Sequence, residues 1–461
     1  PGRKHIRATT PFVCPRPGDF SMAIGTEAAV QSIELEAFAA KIPALIPQSK
    51  TLYALAQDRF QKVPTSNITL GGATSRPSMR VPFRVQGGAA IAQGTGNGDA
   101  MGRGNMSVWQ DFVASPVYSY SVTEITELAR LATNGKKRGL IALKAEELKN
   151  SLDSTLAGLE ALLYGDGSGA VTQIPSGATV SSSSGSGNQT SYITGLRAML
   201  VTDNQVLQFF PSEGGSSRGS ATVSINDPVT GTVWFSTALP AGVQAGDYIV
   251  VAGSSGAVGS GILGTTSWIN SATSGTQAGI NRATYPSRIS SPSINLNGAS
   301  ITASLSQRIE ALLGRAMGGD NKTKDSGIYL FPEDQAYAVG TTNYYSRQIS
   351  HLKDDGPGNT VPDASKKFFQ RKYGDRDVHV SYAQPSGRVD MMLTEEWSIG
   401  ELCPVQLYDY TGEGDYSFPV PDPDGNGWLT SRQFAYQVGL QVFCSAPRHQ
   451  LYVYDASQPT I

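Results

Sequence analysis

The sequence predicts an α+β chain built in several parts, and three observations carry that prediction. Two runs with strand-like alternation, SMRVPFRVQ and SVWQDFVASPVYSYSVT, flank a long glycine-rich stretch. A single helical segment, LIALKAEELKNSLDSTLAGLEALLYG, repeats apolar residues at steps of three and four. The last hundred residues alternate strands and turns through DVHVSYAQ, GRVDMMLTEEWSI, CPVQLYDY and FAYQVGLQVFCSAPRHQLYVYD.

Taken in order, residues from about 20 to 60 are helix-prone, and Pro43 and Pro47 interrupt them, which predicts a jointed arm. The two alternating runs then predict a long ribbon with a glycine-rich tip. Such a ribbon without a core is unstable by itself and must lie on something else. Ser121 and Glu124 have capping-box spacing ahead of ITELARLAT and predict a helix start. In the next helix Ile141, Ala145, Leu148, Leu152, Leu156, Leu159 and Leu163 form one apolar stripe. At ~1.5 Å per residue this is a beam of roughly 35–40 Å, stopped by GDGSG. SSSSGSGNQTS predicts a linker or loop. SATVSI, TVWFSTAL and GDYIVVAG predict a small inserted β-domain, ITASLSQRIEALLGRAM a second amphipathic helix, and SGIYLFPEDQAYAV a buried strand leading to a helix start.

Composition narrows the function. The 461 residues allow two to four folding units, charged residues are only 16%, and glycine (51 residues) is abundant. A net charge of −2 gives no global basic field to recruit nucleic acid or anionic membrane. This suits a β-rich chain whose surface is largely uncharged or buried against partners. No apolar run is long enough for a membrane span, and the N-terminal stretch lacks the apolar core of a secretory signal. Cys14, Cys403 and Cys444 are odd in number and far apart, which predicts reduced, packed thiols of a reducing cytoplasm.

Each enzyme-like pattern fails its context. GSGILG (259–264) has dinucleotide glycine spacing, but TTSWIN is a poor helix start, so chance in a glycine-rich chain explains it. GSSRG (215–219) matches a nucleophile elbow around Ser217, but a strand follows where a helix is required. His5, His351, His379 and His449 lack partners at metal-ligand spacing. Glu395 and Glu396 are adjacent in an expected strand and would face opposite ways. KKFFQRKYGDRD (366–377) is the best basic-aromatic cluster, suited to nucleic acid or, with more weight, to contacts between subunits. In DPDGNGWLTSRQ, Asp422, Asp424 and Asn426 have the spacing of a calcium loop. Against it, the twelfth place is Gln433 instead of a bidentate glutamate, and the flanks read as strands. The bland reading is a polar turn. The expectation is therefore no catalytic residue, no cofactor and no metal, with that loop as the one candidate calcium site.

The order of parts — an arm, an extended two-stranded loop, a beam helix ending in LLYGDGSG, and a mixed α/β region — resembles the major capsid proteins of tailed bacteriophages, the Hong Kong 97-type capsid fold. INRATYP, SINLNGASITASLSQRIEALLGR, GIYLFPEDQAYA and GLQVFCSAPRHQLYVY look like the later part of such proteins. The resemblance implies an N-terminal arm (1–63), an extended loop (64–122), a peripheral domain with the spine helix (123–180), an inserted β-domain (195–265), an axial domain (270–374) and a peripheral return with C-terminal strands (375–461). It also implies hexamers and pentamers closing into an icosahedral shell around double-stranded DNA that is held non-specifically. Scaffolding, portal and cement proteins are the further partners, with assembly in the host cytoplasm and residence in the virion. Between Lys62 and Lys136 the chain has Arg76, Arg80, Arg84 and Arg103 but no lysine, so the lysine–asparagine cross-link of the family's namesake is not expected. The runner-up is a secreted or surface β-rich binding protein, calcium-stabilised through the DPDGNG loop.

Overall fold

The structure, a computed structural model, describes residues 51–69, 77–87, 106–126, 137–182, 189–251, 261–317, 327–335, 372–373, 376–409, 416–421 and 428–457. These fall into two compact units, a smaller one within Ser121–Ser151 and Leu407–Tyr436 and a larger one within Ala44–Tyr120, Leu152–Gln406 and Gln437–Ile461. Most of the expected arm, the ribbon tip, the Asp422–Asn426 loop, Cys14, His5, His351 and two-thirds of KKFFQRKYGDRD lie outside the described residues.

The first elements are α1 (Thr51–Arg59), β1 (Gln61–Lys62), β2 (Ile68–Thr69), β3 (Ser78–Gln86), β4 (Val108–Ala114), β5 (Val117–Thr126) and α2 (Lys137–Leu163). β2, β3 and β4 form an antiparallel three-stranded sheet. β3 alternates strictly, so Met79, Val81, Phe83 and Val85 enter the main core while Arg80, Pro82 and Arg84 face out. The ribbon expected to lack a core is thus seated on the body of its own chain along one face. Its alternation, read as two loose strands, is the signature of a half-buried sheet.

Ser121 and Glu124 do not cap a helix; both lie in β5, where Tyr, Val, Thr and Ile favour extended backbone. α2 has 27 residues and is close to the expected beam. Its leucine stripe is buried at Leu159 and Leu163, whereas Leu148, Leu152 and Leu156 are only half-buried and Ser151 and Thr155 are buried instead.

The inserted sheet comprises β6 (Thr172–Gln173), β7 (Val180–Ser181), β8 (Ser191–Ile193), β9 (Val206–Phe210), β10 (Gly219–Asp227), β11 (Thr232–Phe235) and β12 (Tyr248–Val251). Their order is β6-β12-β9-β10-β11-β8-β7, and every pair is antiparallel. Ile193, Leu207, Phe209, Val223, Val233, Phe235 and Ile249 fill a core separate from the others. The sheet also takes in β6, β7 and β8, upstream of residue 195, whose two or three residues each leave almost no periodicity to read.

Next come α3 (Thr265–Trp268), a hairpin of β13 (Thr276–Gln277) and β14 (Ile280–Asn281), α4 (Pro286–Ile289), β15 (Ser293–Asn295), α5 (Ala303–Ala316) and β16 (Gly327–Phe331). β17 (Lys372–Tyr373), β18 (Arg376–Val380), β19 (Val389–Leu393), β20 (Trp397–Leu407), β21 (Phe418–Pro421), β22 (Trp428–Cys444) and β23 (Leu451–Tyr454) complete the chain. A mixed sheet runs β15-β23-β19-β16-β18-β17, with strands from both sides of residue 374. All five residues of β16 are buried, and α5 packs Leu305, Ile309 and Leu313 into the core this sheet shares. Arg376, itself buried, is held on α5 by Glu310 at 2.6 Å and 2.9 Å.

In the smaller unit β21 and β22 pair antiparallel, with Pro421 opposite Trp428. Tyr408 donates its N–H to Ala435 O at 2.7 Å and its ring meets Phe418 edge-on at 6.4 Å. The Ser121 and Ser151 hydroxyls bond at 3.2 Å. Among the described residues no helix is long and apolar enough to cross a membrane.

Candidate assembly surfaces

The described end of the expected arm is docked by one buried carboxylate. Glu160, on α2 and 0% exposed, accepts the N–H of Leu52 at 2.9 Å and of Tyr53 at 3.0 Å, and the Ser381 hydroxyl at 3.2 Å. Those two N–H groups belong to the first turn of α1, which has no intrahelical acceptor for them and carries a partial positive charge. Burial, then the Glu160 charge, push the neighbouring Tyr164 phenol well up. Burial, again with Glu160 adding, raises Tyr382 as well. Around this point Leu52, Leu55, Ala56 and Phe60 enter the core, Phe60 stacks on Trp397 at 5.7 Å, and Val63 N–H bonds Ile399 O at 2.9 Å. Glu160 carried no sequence signal beyond being a polar residue in a leucine-rich helix.

The ribbon has two unlike faces. Inside, Phe83 stacks on Phe112 at 4.2 Å and Phe112 meets Trp268 edge-on at 4.9 Å. Gln110 Nε2 donates to the Tyr285 hydroxyl at 3.1 Å and Val113 N–H to Ala278 O at 2.8 Å. Outside, the cross-strand pairs are Arg84 with Trp109, Pro82 with Asp111 and Arg80 with Val113. Trp109 is 61% exposed, and Val108 and Val113 are exposed too. Along β5, Tyr118 is exposed while its ring lies across Gly439, where an added Cβ would come within 2.7 Å of it; Tyr120 is 58% exposed. Large exposed aromatics beside arginines have the composition of a protein interface.

The smaller unit exposes Val122, Tyr416, Trp428 and Leu429. Its hairpin brackets Asp422, Asp424 and Asn426, and the flanks are strands, as the sequence predicted. Gln433, in the twelfth place of the calcium pattern, pairs with Phe418 and donates Nε2 to Glu124 at 3.4 Å, so its amide is engaged within this unit.

Other sequence candidates resolve locally. Ser217 forms a turn, accepting Gly219 N–H at 3.1 Å just as β10 begins. Glu395 and Glu396 sit in a 3-10 turn and not in a strand, where the chain leaves β19 and passes to β20 in another sheet. Glu396 bonds His449 Nδ1 at 2.5 Å and Gln450 Nε2 at 2.8 Å. The His379 imidazole has its basicity lowered by burial and by Arg59. Cys444 is buried, which pushes its thiol well up, and Cys403 is half-buried. Among the described residues no three His, Cys, Asp or Glu gather as a metal site.

Two glycines of GSGILG, Gly261 and Gly264, are required by close packing. Gly261 donates its N–H to Gly167 O at 2.9 Å, and a Cβ on it would fall 2.2 Å from Gly169 N. A Cβ on Gly264 would fall 2.3 Å from Leu163 O. The segments that enter and leave the inserted sheet cross here backbone against backbone, where only glycine fits. A second tie is Arg197, whose Nη2 donates to Tyr382 O at 2.9 Å and whose basicity burial lowers to about 10.

No protein-family model and no curated protein matches the chain. Among solved structures it is similar to the cyanophage A-1(L) capsid asymmetric unit, at 11% identity over 93% of this chain and 99% of that one, TM-score 0.49. It is also similar to the capsid structure of cyanophage P-SCSP1u, at 10% identity over 92% of each chain, TM-score 0.40. The asymmetric unit of the bacteriophage PhiM1 mature capsid is a third, at 9% identity over 92% of each chain, TM-score 0.39.

Proposed function

We propose that this chain is a structural protein without enzymatic activity, the shell subunit of a tailed-phage capsid. In this reading it assembles as hexamers and pentamers into an icosahedral shell that encloses double-stranded DNA, with scaffolding, portal and cement proteins as further partners. Assembly takes place in the host cytoplasm and the product is the virion. Besides the order of parts in the sequence, the observation that carries the reading is the ribbon. Its inner face is satisfied within the subunit, while its outer face leaves Trp109 and Val113 in water between Arg80 and Arg84. Scattered exposed apolar residues need no partner, but an exposed tryptophan paired with an arginine in such a patch has the make-up of an interface anchor. The low charge supports the same reading, because strong phosphate binding would hold DNA that must leave.

The test is to express the chain, with a scaffold where one is needed, and to image it by electron microscopy. Closed shells are expected from the wild type; only monomers and small oligomers under every assembly condition would defeat the proposal. Trp109→Ser is expected to reduce the assembled fraction at least ~10-fold, since an aromatic interface anchor contributes about 2 kcal/mol or more per contact. The subunit's own melting point should hardly move, because this ring is not in the core. Normal assembly of that variant would take the ribbon's outer face out of the mechanism.

A further inference from the structure

We propose that a groove between α4, α5 and the turn Pro447–His449 holds phosphate groups of the enclosed DNA; the assignment rests on the shell reading above. The groove is open, about 540 Å³, and is lined by Arg315 and Arg448 together with Thr273, Ser287 and Ser290. Arg448 Nη1 donates to Ser287 O at 2.9 Å, which fixes the guanidinium at the rim and leaves its other N–H groups for a ligand. Arg315, exposed near the end of α5, pairs with no carboxylate among the described residues. Arg308 lies two turns earlier on the same side of that helix and is exposed as well.

The surrounding sequence contains almost nothing to neutralise these cations. From 261 to 317 the only acidic residue is Glu310, and it is already paired with the buried Arg376. In a chain of net charge −2 this is a strong local departure. Guanidinium groups among Ser and Thr hydroxyls are the donors that proteins set against phosphate oxygens. One such groove per subunit gives contact that is weak singly and salt-sensitive, which lets a polyanion line a shell and still leave it.

The experiment measures binding of a labelled 20-base-pair duplex to the purified full chain by fluorescence anisotropy between 50 and 200 mM salt. Arg315→Gln is decisive, because Arg315 makes no contact that folding needs. It should lower the slope of log affinity against log salt by about 1, and with Arg448→Gln by about 2. Lys149→Gln, an exposed position on α2 outside both proposed surfaces, should leave the slope unchanged. The assignment is overturned if the wild type binds no duplex, if Arg315→Gln keeps the wild-type slope, or if a polyglutamate peptide displaces the duplex at equal charge concentration. Imaging the same preparations separates the two ideas. Shells with an unaltered DNA slope would remove the groove and keep the shell, whereas no shells from the wild type under any assembly condition, scaffold included, would remove the shell reading itself.

Discussion

Glu160→Ala is expected to cost about 3–5 kcal/mol of stability, because it removes the acceptor of three hydrogen bonds at one buried point. The carboxylate is fully buried and meets Leu52 N–H, Tyr53 N–H and the Ser381 hydroxyl at once. Removing it strands two amide donors of α1 and one hydroxyl in the core, at about 1–3 kcal/mol for each buried unpaired group. Glu160→Gln keeps the volume but offers one acceptor oxygen in place of two, so about half of that loss is expected. Urea unfolding followed by tryptophan fluorescence reads the change, since Trp397 lies against Phe60 just beyond α1. A Glu160→Ala midpoint within about 1 kcal/mol of wild type would show that hydrophobic contact alone docks α1.

Gly261→Ala is expected to destabilise by about 3 kcal/mol, the upper end of ordinary overpacking. The methyl would have to occupy space 2.2 Å from Gly169 N and 2.3 Å from Gly169 Cα. Both are backbone atoms, so no side chain can turn aside, and the Gly261 N–H to Gly167 O bond must break as the strands part. Gly177→Ala is the control, because nothing lies within 4 Å of its added Cβ. That change should stay within about 0.5 kcal/mol of wild type. Equal thermal midpoints for the two variants would mean that the crossing at the root of the inserted sheet can relax, and that its glycines are not required by space.

Much of the fold was legible because periodicity survives in long elements. α2, α5, β3 and most strands of the last hundred residues fall where their apolar spacing puts them, the exception being the break at Thr394–Glu396. Short elements were not legible. β6, β7 and β8 have two or three residues each, too few for an alternating pattern, and only their antiparallel partners make them strands. The Ser121–Glu124 spacing misled for a related reason: a capping box describes local chemistry, and pairing with β22 overrode it. The outer ribbon face was half legible. Trp109 and Val113 are visibly apolar in the sequence, but alternation cannot say which of two faces a subunit keeps for itself.

The sequence by itself determined the inventory: a low-charge α+β chain with a glycine-tipped ribbon, a beam helix, a small β-insert, and no catalytic constellation that survives its own context. Tertiary structure alone decided which polar and glycine residues matter, and why. Glu160, Gly261, Arg197 and the arginines around α5 each draw their significance from atoms far away in the chain. Their partners are a helix's unpaired N–H groups, a crossing backbone, a distant carbonyl, and a groove whose neighbouring carboxylates are already engaged. Local patterns record the faces that each element presents, and only folding determines what those faces meet.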